Sequence, residues 1–197
     1  MKGAVPFFMP VRDSSIIVFL RFYRNFIIFS EEISTMVTKE IFRSVPGILR
    51  PFKEYLQSRK ITNGDQIVYY GCVGTCTPFV ELLAMSMRGM HLEQVFVPLL
   101  DESKAKKIIE VPDVGMQVCG DPAQLHPKII VIMGGMAMPN MPLTKEEVQA
   151  LIRQHSPVTV IGVCFMSMFE KAGWLDLIAF DLMIDATLDP VTVTKKE

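Results

Sequence analysis

The sequence has no excess of either charge sign. Its 197 residues include 20 lysines and arginines against 21 aspartates and glutamates, a formal net charge of −1. Broad electrostatic binding of nucleic acid needs a basic face that displaces counterions from phosphates, so the composition argues against a nucleic-acid partner. Disorder is excluded for most of the chain, because half of the residues are hydrophobic and 21% are charged.

Cysteine is also scarce, with four residues: Cys72, Cys76, Cys119 and Cys164. This number is too small for a disulfide scaffold in a chain of this length, which buries a core of its own. We therefore interpret the cysteines as free thiols in a reducing, cytoplasmic environment.

Long uninterrupted hydrophobic runs are missing, although the mean hydropathy is +0.32. The most apolar stretch, residues 14–29, contains Arg21 and Arg24, whereas a membrane-spanning helix needs about 20 predominantly apolar residues. No Ala-x-Ala-like cleavage site follows it, so a signal peptide is not indicated. The sequence predicts no transmembrane segment.

The chain divides on this evidence into an N-terminal extension, residues 1–35, and a single α/β domain, residues 36–197. The aromatic and basic composition of the extension fits either a helix that lies on a membrane surface or a start assigned too early, with Met36 as the true start. Both interpretations stay open at the level of the sequence.

Short buried strands alternate with helices along the domain. Strands are predicted at 66–71, 93–99, 115–119, 128–133 and 158–163. This alternation predicts a three-layer α/β/α sandwich with a mostly parallel, Rossmann-like sheet. Residues 180–186 and 191–194, separated by an Asp-Pro turn, predict a C-terminal hairpin at a sheet edge.

Helices are predicted between these strands. Pro46 and Pro51 are expected to kink or split the first one, and residues 101–110 predict a short helix. Thr77 is the expected N-cap of the helix after the first strand. Capping boxes are predicted for the pairs Thr144–Glu147 and Ser167–Glu170.

Strand direction sorts the chemically active side chains. In a parallel sheet every strand-to-helix turn lies at the carboxyl edge, where ligands bind. All four cysteines follow or end predicted strands, so they are expected there. His91, His126 and His155 precede strands and are expected at the opposite edge. A catalytic Cys–His pair is therefore disfavoured.

Three cysteines form the first candidate site. Cys72 and Cys76 have C-x-x-x-C spacing, and Cys164 follows another strand, so the three thiols are candidate nucleophiles. They are also candidate ligands for zinc or an iron–sulfur cluster. The alternative is that they are buried and act as small hydrophobic residues.

Glycine-rich loops form the second candidate site. The loop after the first strand offers Gly71, Gly74, Thr75 and Thr77 beside a helix N-terminus, whose partial positive charge favours an anion and lowers the pKa of the Cys76 thiol. The loop after the fourth strand adds Gly134, Gly135 and Met136, where paired glycines allow close approach of a small ligand. The pattern is neither G-x-G-x-x-G nor a P-loop.

Three motifs together carry a resemblance: GCVGTCTPF at 71–79, GGMAMP at 134–139 and GVCFMSMF at 162–169. They resemble an uncharacterised archaeal family, a domain of unknown function found chiefly in methanogens. The resemblance covers about residues 36–197 and implies an anaerobic cytosol, where thiolates and oxygen-sensitive clusters survive. It implies no activity.

Three functional hypotheses follow. The first is a thiol-based site for a small ligand or metal at the carboxyl edge of the sheet. The second is a noncatalytic module that binds an anion or a nucleotide. The third is a scaffold that forms a homodimer through its edge hairpin.

Overall fold

The computed structural model of the chain describes residues 38–196. The chain divides at Phe42, and the elements below belong to the second unit, Phe42–Glu197. The predicted extension, residues 1–35, lies outside the described residues, as does the arginine-interrupted apolar stretch. Among the described residues, no helix combines the length and apolarity that crossing a membrane requires.

Helices and strands alternate along the second unit. Its elements in chain order are α1 Pro46–Ser58, β1 Gln66–Gly71, α2 Thr77–Ser86, β2 Glu93–Pro98, a 3-10 turn Glu102–Lys104, β3 Lys106–Val111, β4 Gly115–Pro122, β5 Pro127–Met133, a 3-10 turn Gly134–Ala137, α3 Lys145–His155, β6 Thr159–Phe165, α4 Met168–Lys171 and β7 Leu182–Ala186.

The strands form one sheet in the order β4-β3-β2-β1-β5-β6-β7. The five strands from β2 to β7 in this order pair in parallel. At the other end, β3 is antiparallel to both β2 and β4. The predicted α/β fold is confirmed, but the parallel order covers only part of the sheet because an antiparallel hairpin extends one edge.

The core is divided by the sheet into two layers, as the alternation of side chains along a strand requires. Ile67 and Tyr69 of β1 pack with α1 and α2 on one face, which we call the first face. Val68 and Tyr70 pack with α3 and α4 on the second face. Helices on both faces give the three-layer sandwich that the sequence predicted.

The helix predicted over residues 101–110 is wrong. The structure has only a 3-10 turn there, followed by strand β3. Ile108 and Ile109 are β-branched and favour a strand, and Ile108 is buried while Ile109 is exposed, as alternation predicts. The charged residues of this segment lie along a strand next to the sheet edge.

The C-terminal hairpin is also wrong. β7 pairs in parallel with β6, and residues 187–196 form no strand. Val191 and Val193 are 76% and 74% exposed, so this segment buries little apolar surface that would hold it against β7. The dimer hypothesis loses the hairpin on which it depended.

Helix ends follow the sequence unevenly. α3 has the predicted capping box: the Thr144 hydroxyl accepts from the Glu147 N–H, and the Glu147 carboxylate accepts from the Thr144 N–H. In α1, by contrast, Pro51 does not split the helix. Burial of the i, i+4 pair Ile48 and Phe52 holds both halves against the sheet and outweighs the single lost hydrogen bond.

Candidate functional site

Cys72 and Cys76 form a buried pair at the carboxyl end of β1. Their Sγ atoms lie 3.1 Å apart, and their residues are 5% and 3% exposed. The Cys76 N–H donates to the Cys72 carbonyl at 3.1 Å, so one turn of backbone brings the i and i+4 side chains together. The three residues between them are exposed.

Two glycines make room for this pair. A Cβ atom on Gly135 would lie 2.4 Å from the Cys76 sulfur and 2.6 Å from the Cys72 sulfur, and one on Gly71 would lie 2.8 Å from the Cys76 Cβ. Any larger residue at 135 would displace the sulfurs. The predicted ligand residues Gly71 and Gly135 are therefore walls of the thiol site.

Burial raises the pKa of the Cys76 thiol to about 12, and the neighbouring Cys72 sulfur adds to this rise. The backbone N–H groups of Cys72 and Gly135 favour the thiolate but do not compensate for desolvation. The expected lowering of this pKa at the start of α2 is wrong. Cys76 occupies the cap position of α2, yet its removal from water outweighs the helix field.

Cys164 does not join the pair. It belongs to the second face, whereas Cys72 and Cys76 belong to the first. The neighbouring β6 residue Val163 takes the first face, so alternation along the strand turns Cys164 away. The three-thiol nucleophile or metal site is therefore not assembled, and residues 38–196 contain no group of three or more metal-ligating side chains.

Cys164 has its own polar surroundings. Its thiol donates to the Asp185 carboxylate at 3.3 Å, and the same carboxylate accepts from the N–H and the hydroxyl of Ser167 at 3.0 and 2.8 Å. Burial first, and Asp185 with it, raises the pKa of Cys164 to about 11. Ser167 is left-handed at φ 56° and makes no cap, so the predicted capping box with Glu170 is wrong.

Cys119 lies apart from the other thiols. It is exposed and sits inside β4 rather than at its end. β4 is the edge strand of the sheet, because the chain turns back through β3 instead of crossing over a helix. Cys119 is therefore an unpaired surface thiol, not part of the carboxyl-edge cluster that the sequence predicted.

The remaining predicted ligand residues lie in different environments, some in an exposed loop and others in the core. Gly74 has φ +82° in the exposed loop, which suits glycine, and Thr75 is exposed beside it. Thr77 is the first residue of α2 rather than its cap, and its hydroxyl accepts from the Gly74 N–H at 3.3 Å. Gly134 packs against Cys164, since a Cβ atom added at Gly134 would lie 2.3 Å from the Cys164 Cβ. Met136 is 1% exposed in the second face, so its side chain is core.

A polar cluster on the second face was not predicted from the sequence. The Glu102 carboxylate accepts from the Tyr70 hydroxyl at 2.7 Å and contacts the His155 Nε2 atom at 2.6 Å. The available signal was Tyr70 itself, since a tyrosine in a buried strand needs a partner for its hydroxyl. His126 hydrogen-bonds with Gln66 and His155 with Glu102, so neither histidine is paired with a cysteine within residues 38–196.

Comparison with known proteins places these features in a family. Residues 43–189 match the family of uncharacterized proteins conserved in archaea, DUF2124. An uncharacterized protein of Methanocaldococcus jannaschii is 35% identical over 150 residues, 76% of this chain and 91% of its own. One from Methanothermobacter thermautotrophicus is 32% identical over 150 residues, 75% and 92% of the two chains. A crystal structure of a protein of unknown function from M. thermautotrophicus superposes with a TM-score of 0.71 at 29% identity, covering 81% of this chain and 99% of that one.

Proposed function

This chain belongs to the archaeal family of uncharacterized proteins DUF2124, and we propose that it carries a redox-active dithiol, Cys72 and Cys76, which forms a disulfide reversibly. The observation that carries the proposal is the separation of 3.1 Å between their sulfur atoms. A disulfide bond is about 2.05 Å long, so the two sulfurs need to approach by only about 1 Å.

The reaction is thiol–disulfide exchange with a low-molecular-weight or protein disulfide, RSSR. One cysteine loses its proton and attacks a sulfur of RSSR, which forms a mixed disulfide and releases one RS⁻. The second cysteine, deprotonated in turn, attacks the protein sulfur of the mixed disulfide and releases the second RS⁻. The two protons end on the released thiols. The pair loses two electrons, and RSSR gains them.

Burial and the raised pKa of Cys76 favour the protonated dithiol at neutral pH. Because Cys72 and Cys76 are 5% and 3% exposed, an oxidant reaches their sulfur atoms only when the surrounding structure opens. The site is consequently expected to react slowly in the resting state and faster as the pH rises, because the thiolate is the attacking form.

The test is to equilibrate the full chain in buffers of defined ratio of oxidised to reduced dithiothreitol, then denature it and alkylate it. Residues 61–88 contain both cysteines and no lysine or arginine before Arg88, so trypsin releases them in one peptide. In reducing buffers we expect this peptide to carry two alkyl groups. In oxidising buffers we expect it to carry none and to have two hydrogens fewer than its dithiol form, while the peptides of Cys119 and Cys164 stay alkylated.

The matched controls are single alanine variants at the four cysteines. Cys72→Ala and Cys76→Ala should abolish the loss of two hydrogens, whereas Cys119→Ala and Cys164→Ala should retain it. If peptide 61–88 keeps both alkyl groups at every ratio while the unfolded chain forms the disulfide, the proposal is wrong. The proposal would also be wrong if the only disulfide formed joined the Cys119 residues of two chains.

A further inference from the structure

A groove of about 500 Å³ opens beside the dithiol loop, at the carboxyl end of β2. Its apolar lining includes residues from three segments of the chain: Val73 of the loop, Phe96 and Pro98 of β2, and Val118 and Pro122 of β4. A volume of this size suits a small organic molecule. The groove exists because the hairpin β3–β4 extends the sheet past β2.

The charged side chains that line the groove are both cationic, Lys104 and Lys106. Lys104 forms an ion pair with Asp101 at 2.6 Å, and its side chain is 70% exposed. Lys106 makes no ion pair with any residue from 38 to 196. None of the groove's lining residues is acidic. Two carboxylates contact the lining: Asp101 pairs with Lys104, and Glu81 accepts from the Val118 N–H at 3.0 Å. Lys106 is therefore the cation that favours a negatively charged group in the groove.

Thr77 also lines the groove and adds a hydrogen-bond donor. Its hydroxyl oxygen accepts from the Gly74 N–H, and within residues 38–196 the hydroxyl hydrogen is not donated to another group. Thr77 also begins the ten-residue helix α2, whose N-terminus carries partial positive charge. The groove thus combines an apolar wall with two cations and a donor.

We propose that this groove binds a small organic anion, with an apolar ring or chain against Phe96 and Val118 and a carboxylate or phosphate held by Lys104, Lys106 and Thr77. The proposal does not require oxidation of the cysteines. It goes beyond the dithiol function because no cysteine lines the groove and most of its lining belongs to β2, the 3-10 turn and the β3–β4 hairpin, although Val73 and Thr77 beside the cysteines also contribute.

The experiment uses the full chain, kept reduced, and three probes of matched shape: 2-naphthoate, 2-naphthyl phosphate and neutral 2-naphthalenemethanol. Binding is measured by calorimetry and mapped by amide chemical shifts. We expect at least one of the two anions to bind at least about fivefold more tightly than the neutral probe, as two exposed charge contacts allow. The preferred anion distinguishes a carboxylate ligand from a phosphate ligand.

Two double variants provide the control. Lys104→Ala with Lys106→Ala should remove the preference for the anion, whereas Lys195→Ala with Lys196→Ala, which makes the same change in net charge at the exposed C-terminal tail, should retain it. Equal binding of all three probes, equal effects of the two double variants, or no binding at millimolar concentration would each overturn the proposal. A dithiol that fails the alkylation test leaves this measurement unaffected, so the two proposals fail separately.

Discussion

Gly135 shows how a single missing side chain shapes the thiol site. Its position against both sulfurs means that a methyl group must push them apart or move the backbone. Gly135→Ala is therefore expected to lower the free energy of unfolding by about 1–3 kcal/mol, the usual cost of overpacking. Urea unfolding of the reduced protein measures this change.

The physical cause is checked by a double-mutant cycle with Cys76→Ala, which removes the sulfur nearest to the added methyl. If steric contact with sulfur is responsible, Gly135→Ala costs less in the Cys76→Ala background than in the native one. The same cost in both backgrounds would assign the effect to the backbone instead.

Cys76 also predicts a pH dependence of stability. The folded state holds its proton up to a pKa of about 12, above the ordinary value of 9.0, so the unfolded state binds fewer protons once the pH passes 9. Stability therefore falls as the pH rises through this window. By pH 10 the loss is about 1 kcal/mol for this one thiol.

The measurement is urea unfolding at pH 8, 9 and 10 with a reductant present, on the native chain and on Cys76→Ala. The native chain should lose about 1 kcal/mol more than the variant between pH 8 and pH 10. Tyr69 and Tyr70, whose pKa values are also raised by burial, are common to both proteins and cancel. Parallel pH profiles would contradict the prediction.

At the scale of elements, the Tyr70–Glu102–His155 cluster connects β1, the turn after β2 and the end of α3. Glu102 precedes Ser103 and Lys104, which line the groove, so this cluster fixes one wall of it. Tyr70→Phe removes a hydrogen bond to a partly buried carboxylate and is expected to cost about 1–2 kcal/mol. Tyr55→Phe is the control, because the Tyr55 hydroxyl contacts the exposed Arg59 and its loss should cost under about 0.5 kcal/mol.

Thermal and urea unfolding of the two variants give the comparison. An unchanged stability of Tyr70→Phe would show that the cluster does not hold the turn. Amide shifts of Ser103 and Lys104 add a local measurement, since release of Glu102 should move them while Tyr55→Phe should not.

The sequence predicted structural features best where they depend only on residues that are close together in the chain. Thr144 and Glu147 satisfy each other within one turn, so the capping box of α3 is readable without the fold. Ser167 has the same spacing to Glu170 but lies beside Asp185, a residue far along the chain that accepts both of its donors. The hydrogen bonds to Asp185 therefore replace the local capping box, and no pattern in the local sequence indicates them.

At the scale of the whole molecule, the compact unit that begins at Phe42 agrees in extent with the family match over residues 43–189. The predicted boundary at residue 35 stays a prediction. A chain that starts at Phe42 is expected to unfold cooperatively with a midpoint within about 3 °C of that of the full chain, since about 1 kcal/mol shifts the midpoint of a domain this size by 2–4 °C. Scanning calorimetry of both chains measures it, and a broad transition in the shorter chain would contradict it.

The sequence by itself determined the buried strands, their alternation with helices and the place of Cys72 and Cys76 at the carboxyl end of β1. These follow from short-range patterns and from the handedness of parallel crossovers. Only the tertiary structure decided that Cys164 turns to the second face and that the chain after β2 folds back as β3 and β4. The face of the sheet that a side chain takes depends on the residue at which its strand begins. Whether the chain after β2 forms a helix or a hairpin depends on what this segment packs against. Both are set by contacts between residues far apart in the chain.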